Sequence, residues 1–192
     1  MKQTSTPTPA SPASQAPAYG AVSKALHWLM FLLLLAQFLI ALGMPDIHRG
    51  VVPETWIKLH MSFGILILLV VIPRALWRLG HPVPPLADGS PPWQQWSAHA
   101  IHRLLYALLL ILPILGWGAA SARDWQIGFF GVFALPHLLA AKAKIGLISG
   151  DIHSVLSWTL LAVIGLHVAA ALYHYFILRD RVLQRMLPGG GD

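Results

Sequence analysis

Residues 152–178 read IHSVLSWTLLAVIGLHVAAALYHYFIL, an uncharged run with His153 and His167 fourteen residues apart. On an α-helix, fourteen residues turn through about 1400°, so the two side chains fall within roughly 40° of one face, about 21 Å apart along the axis. A hydrocarbon core is about 30 Å thick. One helix therefore presents two imidazoles to the same side, one toward each membrane surface. An ionisable side chain inside a membrane is costly and is a functional-site hypothesis by default. Two at this spacing point to two stacked metal centres.

The rest of the chain suits that helix. Of 192 residues, 56% are hydrophobic and only 10% charged, and the mean hydropathy is +0.64. A soluble domain carries about 25% charged residues. The composition is that of an integral membrane protein. The net charge of +6 lies mostly beside apolar runs, which argues for a topological role and against a nucleic-acid patch. No cysteine is present, so disulfides, thiolate-held clusters and c-type haem attachment are excluded. A redox metal must be held by some of the ten histidines, or by Met.

Residues 1–18 are Ser, Thr, Pro and Ala with almost no charge and read as a disordered tail. Four apolar segments follow, at about 21–42, 56–77, 99–120 and 152–178, each long enough to span. They make one four-helix unit over residues 19–188, with 189–192 as a short C-terminal tail. The first segment has a rival reading as a signal peptide with cleavage after Ala41-Leu42-Gly43, but its apolar stretch exceeds the usual 7–15 residues. The connections hold Pro45 and Pro53, then the Pro-rich 82–92, then the longest loop, 121–150. In that loop Trp125–Phe130 is amphiphilic enough to lie at the membrane interface and too short before Pro136 to span it.

Lysines and arginines near helix ends set orientation. Lys2, Lys24, Arg74, Arg78, Arg103, Arg179, Arg181 and Arg185 fall on one side; Arg49, Lys58, Arg123, Lys142 and Lys144 fall on the other, diluted by Asp46, Glu54, Asp124 and Asp151. Eight against five puts both termini in the cytoplasm. Trp28, Trp77, Trp93, Trp96, Trp117 and Trp125 lie near helix ends, as an aromatic belt would.

Depth then sorts the histidines. His27 on the first segment and His167 on the fourth lie toward the cytoplasm; His60 on the second and His153 on the fourth lie toward the outside. These are two depth-matched pairs sharing one helix. Two haems held by bis-imidazole ligation need this layout, with axial nitrogens supplied from facing helices. Gly64, Gly165, Ala169 and Ala170 leave clearance for a flat macrocycle, although small residues also serve ordinary helix packing. His102 is at the depth of the inner pair and has three open roles: ligand, partner of haem propionates, or part of a substrate pocket. His174, seven residues past His167, is followed by Arg179, Asp180 and Arg181. A histidine beside cations at the membrane surface suits a quinone headgroup, and the same arginines also read as topological anchors.

At these residues the sequence resembles the bacterial cytochrome b561 family of di-haem, quinone-linked membrane proteins, which includes superoxide oxidases. The resemblance runs through Ser23-Lys24-Ala25-Leu26-His27-Trp28 and His60-Met61-Ser62-Phe63-Gly64. It continues in His99-Ala100-Ile101-His102-Arg103, Pro113-Ile114-Leu115-Gly116, His153 through Trp158, and Leu166-His167, and it ends in Arg185-Met186-Leu187-Pro188. It implies a four-transmembrane-helix bundle in the bacterial inner membrane with two b-type haems. His27 and His167 would hold the cytoplasmic-side haem, and His60 and His153 the outer one. It implies ubiquinone as electron partner near His174 and, in superoxide-oxidising members, superoxide as donor at the outer face. Lys58, Lys142 and Lys144 would steer that anion.

Three functions compete. The first is an oxidoreductase carrying electrons between superoxide or another donor and quinone. The second is the cytochrome b subunit of a larger dehydrogenase or hydrogenase, which the short loops disfavour because they offer little docking surface. The third is a His-lined metal or proton transporter, which needs polar groups converging at mid-membrane. Gln37 and Thr159 are almost the only ones, and no acid lies there.

Overall fold

A computed structural model describes residues 18–48, 50–81 and 91–189. The expected tail up to residue 17, Arg49, the Pro-rich 82–90 and the last residues 190–192 lie outside it. Four helices dominate: α1 (Ala21–Leu42), α2 (Thr55–Gly80), α3 (Pro92–Ala122) and α4 (Lys144–Tyr173). A π-helical turn, His174–Leu178, prolongs α4, so its span runs Lys144–Leu178. All four are long and apolar enough to cross a membrane. Leu32, Leu39, Leu69, Val155, Trp158 and Leu166 are exposed on their outer faces, where lipid would meet them.

Two helices begin earlier than the sequence pattern predicts. Helix α3 starts at Pro92 instead of near His99, because proline is well placed at a first helical turn, where its missing N–H has no intrahelical partner to lose. Helix α4 starts at Lys144 instead of near Ile152. Its first turns contain Gly146, Ser149 and Gly150, a composition that reads as loop. The glycine instead serves packing: a Cβ on Gly146 would lie 2.5 Å from the Ala122 Cβ and 2.8 Å from the Gly118 carbonyl oxygen. Ser149 closes the same contact by donating to the Leu115 carbonyl at 3.1 Å.

The helices form two close pairs, α1 with α2 and α3 with α4, joined through α2 and α3. Helix α4 has no extended backbone packing against α1 or α2. Side chains bridge that gap. At mid-bundle Met30 and Leu33 from α1, Ile67 and Val71 from α2, Leu108, Leu109 and Leu112 from α3, and Leu160 from α4 make one buried cluster.

The loop after α3 holds an antiparallel hairpin, β1 (Ile127–Phe129) and β2 (Phe133–Leu135), in the register Ile127–Leu135, Gly128–Ala134 and Phe129–Phe133. Its turn uses Phe130 and Gly131, both at positive φ. The hairpin docks on α2 through Ser62, which donates to the Gly128 carbonyl at 3.1 Å and accepts from the Phe130 N–H at 3.0 Å. Trp125 donates to the Val51 carbonyl at 3.1 Å, and Trp117 to that of Pro136 at 2.9 Å. At the opposite, terminal end, the C-terminal segment folds back under α1. Trp28 donates to the Met186 carbonyl at 2.9 Å, and the Tyr19 N–H to that of Arg185 at 3.3 Å.

Candidate haem sites

The expected histidine pairs meet in space. At the terminal end the His27 and His167 rings have centres 6.2 Å apart. At the hairpin end His60 and His153 are 6.0 Å apart. Each pair joins α4 to a helix with which it shares side-chain contacts but little close backbone approach. The buried apolar cluster lies between the pairs, with Leu160 seven residues from either histidine of α4.

The hairpin-end pair is built from both sides. His153 Nδ1 donates to the Leu112 carbonyl at 2.9 Å, which leaves Nε2 free to carry a lone pair. A Cβ on Gly116 would come within 3.3 Å of the His153 ring, so only glycine leaves the imidazole its full place. Opposite, the Gln37 amide donates to the His60 carbonyl at 3.2 Å and lies 3.3 Å from His60 Nε2. His60 Nδ1 and Gln37 Oε1 are buried without hydrogen-bond partners. Buried polar groups are ordinarily satisfied, and a buried imidazole short of hydrogen-bond partners is suited to holding a metal.

The terminal-end pair carries more charge. Arg74, six residues inside the end of α2, donates from Nη2 to His27 Nδ1 at 3.2 Å and from Nη1 to the Ser23 carbonyl at 3.3 Å. Its guanidinium also lies 5.9 Å from the Tyr106 ring centre. His102 joins this pair, its ring 5.3 Å from that of His167. Just beyond, His174 Nδ1 and Asp180 Oδ2 are 2.5 Å apart. The other oxygen of Asp180 accepts from the Val182 N–H at 3.0 Å. Arg179, between them in sequence, is left-handed (φ 53°) and exposed.

The donor set fits haem iron. An imidazole nitrogen binds a first-row metal at about 2.0–2.1 Å and lies about 1.1 Å from its ring centre, so two imidazoles on opposite sides of one metal put their ring centres about 6.3 Å apart. Both observed separations are near that value. Among the described residues no three metal-binding side chains converge on one point. Two imidazoles leave four positions of an octahedral iron to fill, and a porphyrin fills four.

The remaining candidates are spread out. Lys58 lies in the first turn of α2, Lys144 opens α4, and Lys142 precedes it at φ 64°; all three are exposed at the hairpin end. His102 keeps company with His167, whereas His174 turns to Asp180. His81 stacks on Trp77 at 3.8 Å, and His137 lies 3.6 Å from Asp124, in keeping with no role in a haem site. Sequence reasoning missed Arg74, Asp180, Gln37 and Gly116 as site residues. Arg74 had a visible signal: it stands well inside an apolar helix, whereas topological arginines stand at the ends.

Comparison with known proteins gives the family. The family described as prokaryotic cytochrome b561 matches residues 18–189. Cytochrome b561 homolog 2 of Escherichia coli (strain K12) is 33% identical over 176 residues, 88% of this chain and 90% of that protein. The probable superoxide oxidase CybB of Yersinia pestis is 33% identical over 174 residues, 88% of this chain and 96% of its own. Cytochrome b562 of Cereibacter sphaeroides is 30% identical over 182 residues, 91% of this chain and 98% of its own. A match along nearly the whole described chain, on a four-helix membrane fold with facing imidazoles, makes this protein a member of the prokaryotic cytochrome b561 family of b-haem membrane electron-transfer proteins.

Proposed function

We propose that the protein carries electrons through the bacterial inner membrane, from superoxide at the hairpin face to ubiquinone at the terminal face, using two haems b. The terminal face is cytoplasmic in this reading, as the excess of arginine and lysine there suggests. The observation that carries the proposal is the pair of imidazole separations, 6.0 Å for His60 and His153 and 6.2 Å for His27 and His167, one pair on each side of the buried apolar cluster. Each haem would supply a one-electron iron couple in an apolar setting. His60 and His153 would hold the outer one, His27 and His167 the inner.

The protein's own residues then divide the work. Leu112 and Gly116 orient His153, and the apolar cluster around Leu160 excludes water and ions between the sites. Electrons tunnel through such an apolar layer, whereas a transporter needs polar steps across it. At the outer face Lys58, Lys142 and Lys144 raise the local concentration of an anionic donor. At the inner face His174, oriented by Asp180, and Arg179 meet the quinone headgroup, with His102 as the third candidate. The reaction balances: two superoxide anions give one electron each and leave as two O₂, and the quinone takes two electrons and two protons from the cytoplasmic side to become quinol.

The test is a reduced-minus-oxidised spectrum with a haem count per chain, followed by quinone reduction with superoxide as donor. We expect b-type bands, two haems and a superoxide-dependent rate. Absence of b-type bands overturns the reading. One haem per chain overturns the two-pair assignment. No superoxide-dependent rate removes the donor and leaves a quinone-linked cytochrome.

A further inference from the structure

Arg74 is a guanidinium on the inward face of the bundle with no anion. Its partners are a backbone carbonyl, a neutral imidazole and Tyr106, which meets it with its ring and by a side-chain hydrogen bond, and none of these carries a negative charge. Among the described residues no carboxylate lies within ion-pair range of it: Asp180 belongs to His174, Asp124 to His137, and Asp46, Glu54 and Asp151 lie toward the hairpin end. Holding a cation away from water without a counter-charge is costly. Arg74 does not stand alone. The fields of Arg74, Arg78 and Arg185 converge on Tyr19, where they oppose the upward push of burial on its phenol, and Arg185 lies 5.9 Å from that ring.

The hydrogen bond to His27 sharpens the problem. Arg74 donates, so His27 Nδ1 must offer its lone pair, and the proton of the neutral ring then sits on Nε2. A nitrogen that carries a proton cannot bind iron. Ligation through Nε2 therefore requires Arg74 to release Nδ1. An oxyanion would draw it away, because a charge-assisted, bidentate pair with a carboxylate is stronger than a single bond to neutral imidazole.

We propose that Arg74 is the oxyanion anchor of the inner site: it takes a propionate carboxylate of the haem held by His27 and His167, and in doing so frees His27 Nδ1 from the arginine. The proposal rests on the two-haem reading above. A lipid phosphate offers the same chemistry. The propionate is favoured because Arg74 points at His27 between the helices, whereas a headgroup would sit at the bundle's rim.

The test uses the full chain made haem-free and placed in nanodiscs, then titrated with haem b or with its dimethyl ester, which lacks the carboxylates. In the wild type we expect the inner site to bind the ester about tenfold more weakly, the scale of a lost charge-assisted hydrogen bond. In Arg74→Leu, haem b should weaken by a similar factor at the inner site and the preference over the ester should vanish, while the outer site is unchanged and reports that the chain is folded. Arg74→Lys, which keeps the charge and loses the fork, should restore part of the preference. Nanodiscs of zwitterionic lipid alone should give the same values as those containing anionic lipid. Persistence of the preference in Arg74→Leu overturns the proposal. So does inner-site affinity that depends on anionic lipid and loses that dependence in Arg74→Leu, which would make a phosphate the partner. A wild type that binds haem with no preference defeats this proposal alone, whereas one that binds no haem defeats the two-haem reading as well.

Discussion

His153 lies in a notch of α3, its Nδ1 hydrogen-bonded to the Leu112 carbonyl at 2.9 Å and its ring resting over the bare Cα of Gly116. The bond sets the tautomer and the glycine sets the position, so Nε2 is presented across the gap to His60. Gly116→Val should therefore act as a ligand-site variant, although Gly116 binds nothing itself. We expect the outer haem to be lost or to change its spectrum while the inner one remains. Haem per chain, read with the split of the reduced bands, checks this. Two unaltered haems would show that His153 does not need the notch.

His102 shares the inner site with His27, and the two make different predictions. The ring separation of 6.2 Å for His27 and His167 suits one iron between them, while the 5.3 Å of His102 and His167 is about an ångström too short for it. His27→Ala should lose the inner haem, and His102→Ala should keep it with slower quinone reduction at most. Haem retention in His27→Ala together with loss in His102→Ala would exchange their roles.

Much of this was legible from spacing alone. A fourteen-residue interval fixes angle and depth on a helix, so the partners of His153 and His167 followed from which helices run which way. Contacts that rest on the absence of a side chain were not legible. Gly146 and Gly116 look like helix weaknesses in sequence and become packing surfaces only once α3 and α4 are side by side. The hairpin at 127–135 was hidden for a related reason: its strands are three residues long and dock on α2 through Ser62 and Phe63, distant in sequence. Arg74 was read as one more positive-inside charge because the charge count ignores how deep in the helix a residue stands.

The close approach of α3 and α4 gives a stability prediction. A methyl group on Gly146 would overlap the Ala122 Cβ and the Gly118 backbone, neither of which can rotate away. Gly146→Ala should destabilise the loaded protein by about 1–3 kcal/mol, the usual cost of overpacking. Gly80, at the end of α2 and away from the histidine pairs, has nothing within 4 Å among the described residues, so Gly80→Ala should be neutral or slightly stabilising, as alanine is the better helix former. Melting curves in detergent should rank Gly146→Ala lowest. Equal melting of all three proteins would mean that α3 and α4 pack less closely than described.

Asp180 gives a prediction about proton delivery. It is a positioning residue: one oxygen orients His174, and the other is tied to the Val182 N–H. Asp180→Asn keeps an acceptor but replaces one carboxylate oxygen by an amide, so the contact that orients His174 weakens. Quinone reduction should slow by up to about a hundredfold, the low end for general acid–base groups, with both haems retained. Asp180→Glu should recover part of the rate. An unchanged rate in Asp180→Asn would separate the pair from the quinone.

The outer face tests the donor. Lys58, Lys142 and Lys144 are exposed, but Asp46, Glu54, Asp124 and Asp151 share their side of the membrane, so any attraction of an anion must be local and not a property of the whole face. Local attraction has a measurable signature, because interactions between exposed charges fade once the Debye length shrinks to about 8 Å at physiological ionic strength. The superoxide-dependent rate should fall as salt rises, while the rate with a neutral chemical reductant should not. Replacing all three lysines by glutamine should lower the superoxide rate at low salt by about tenfold, near the low end of electrostatic steering effects, and flatten its salt dependence. Haem content and the neutral-donor rate should stay as they were. A triple variant with the wild-type salt slope would show that the lysines do not gather the donor.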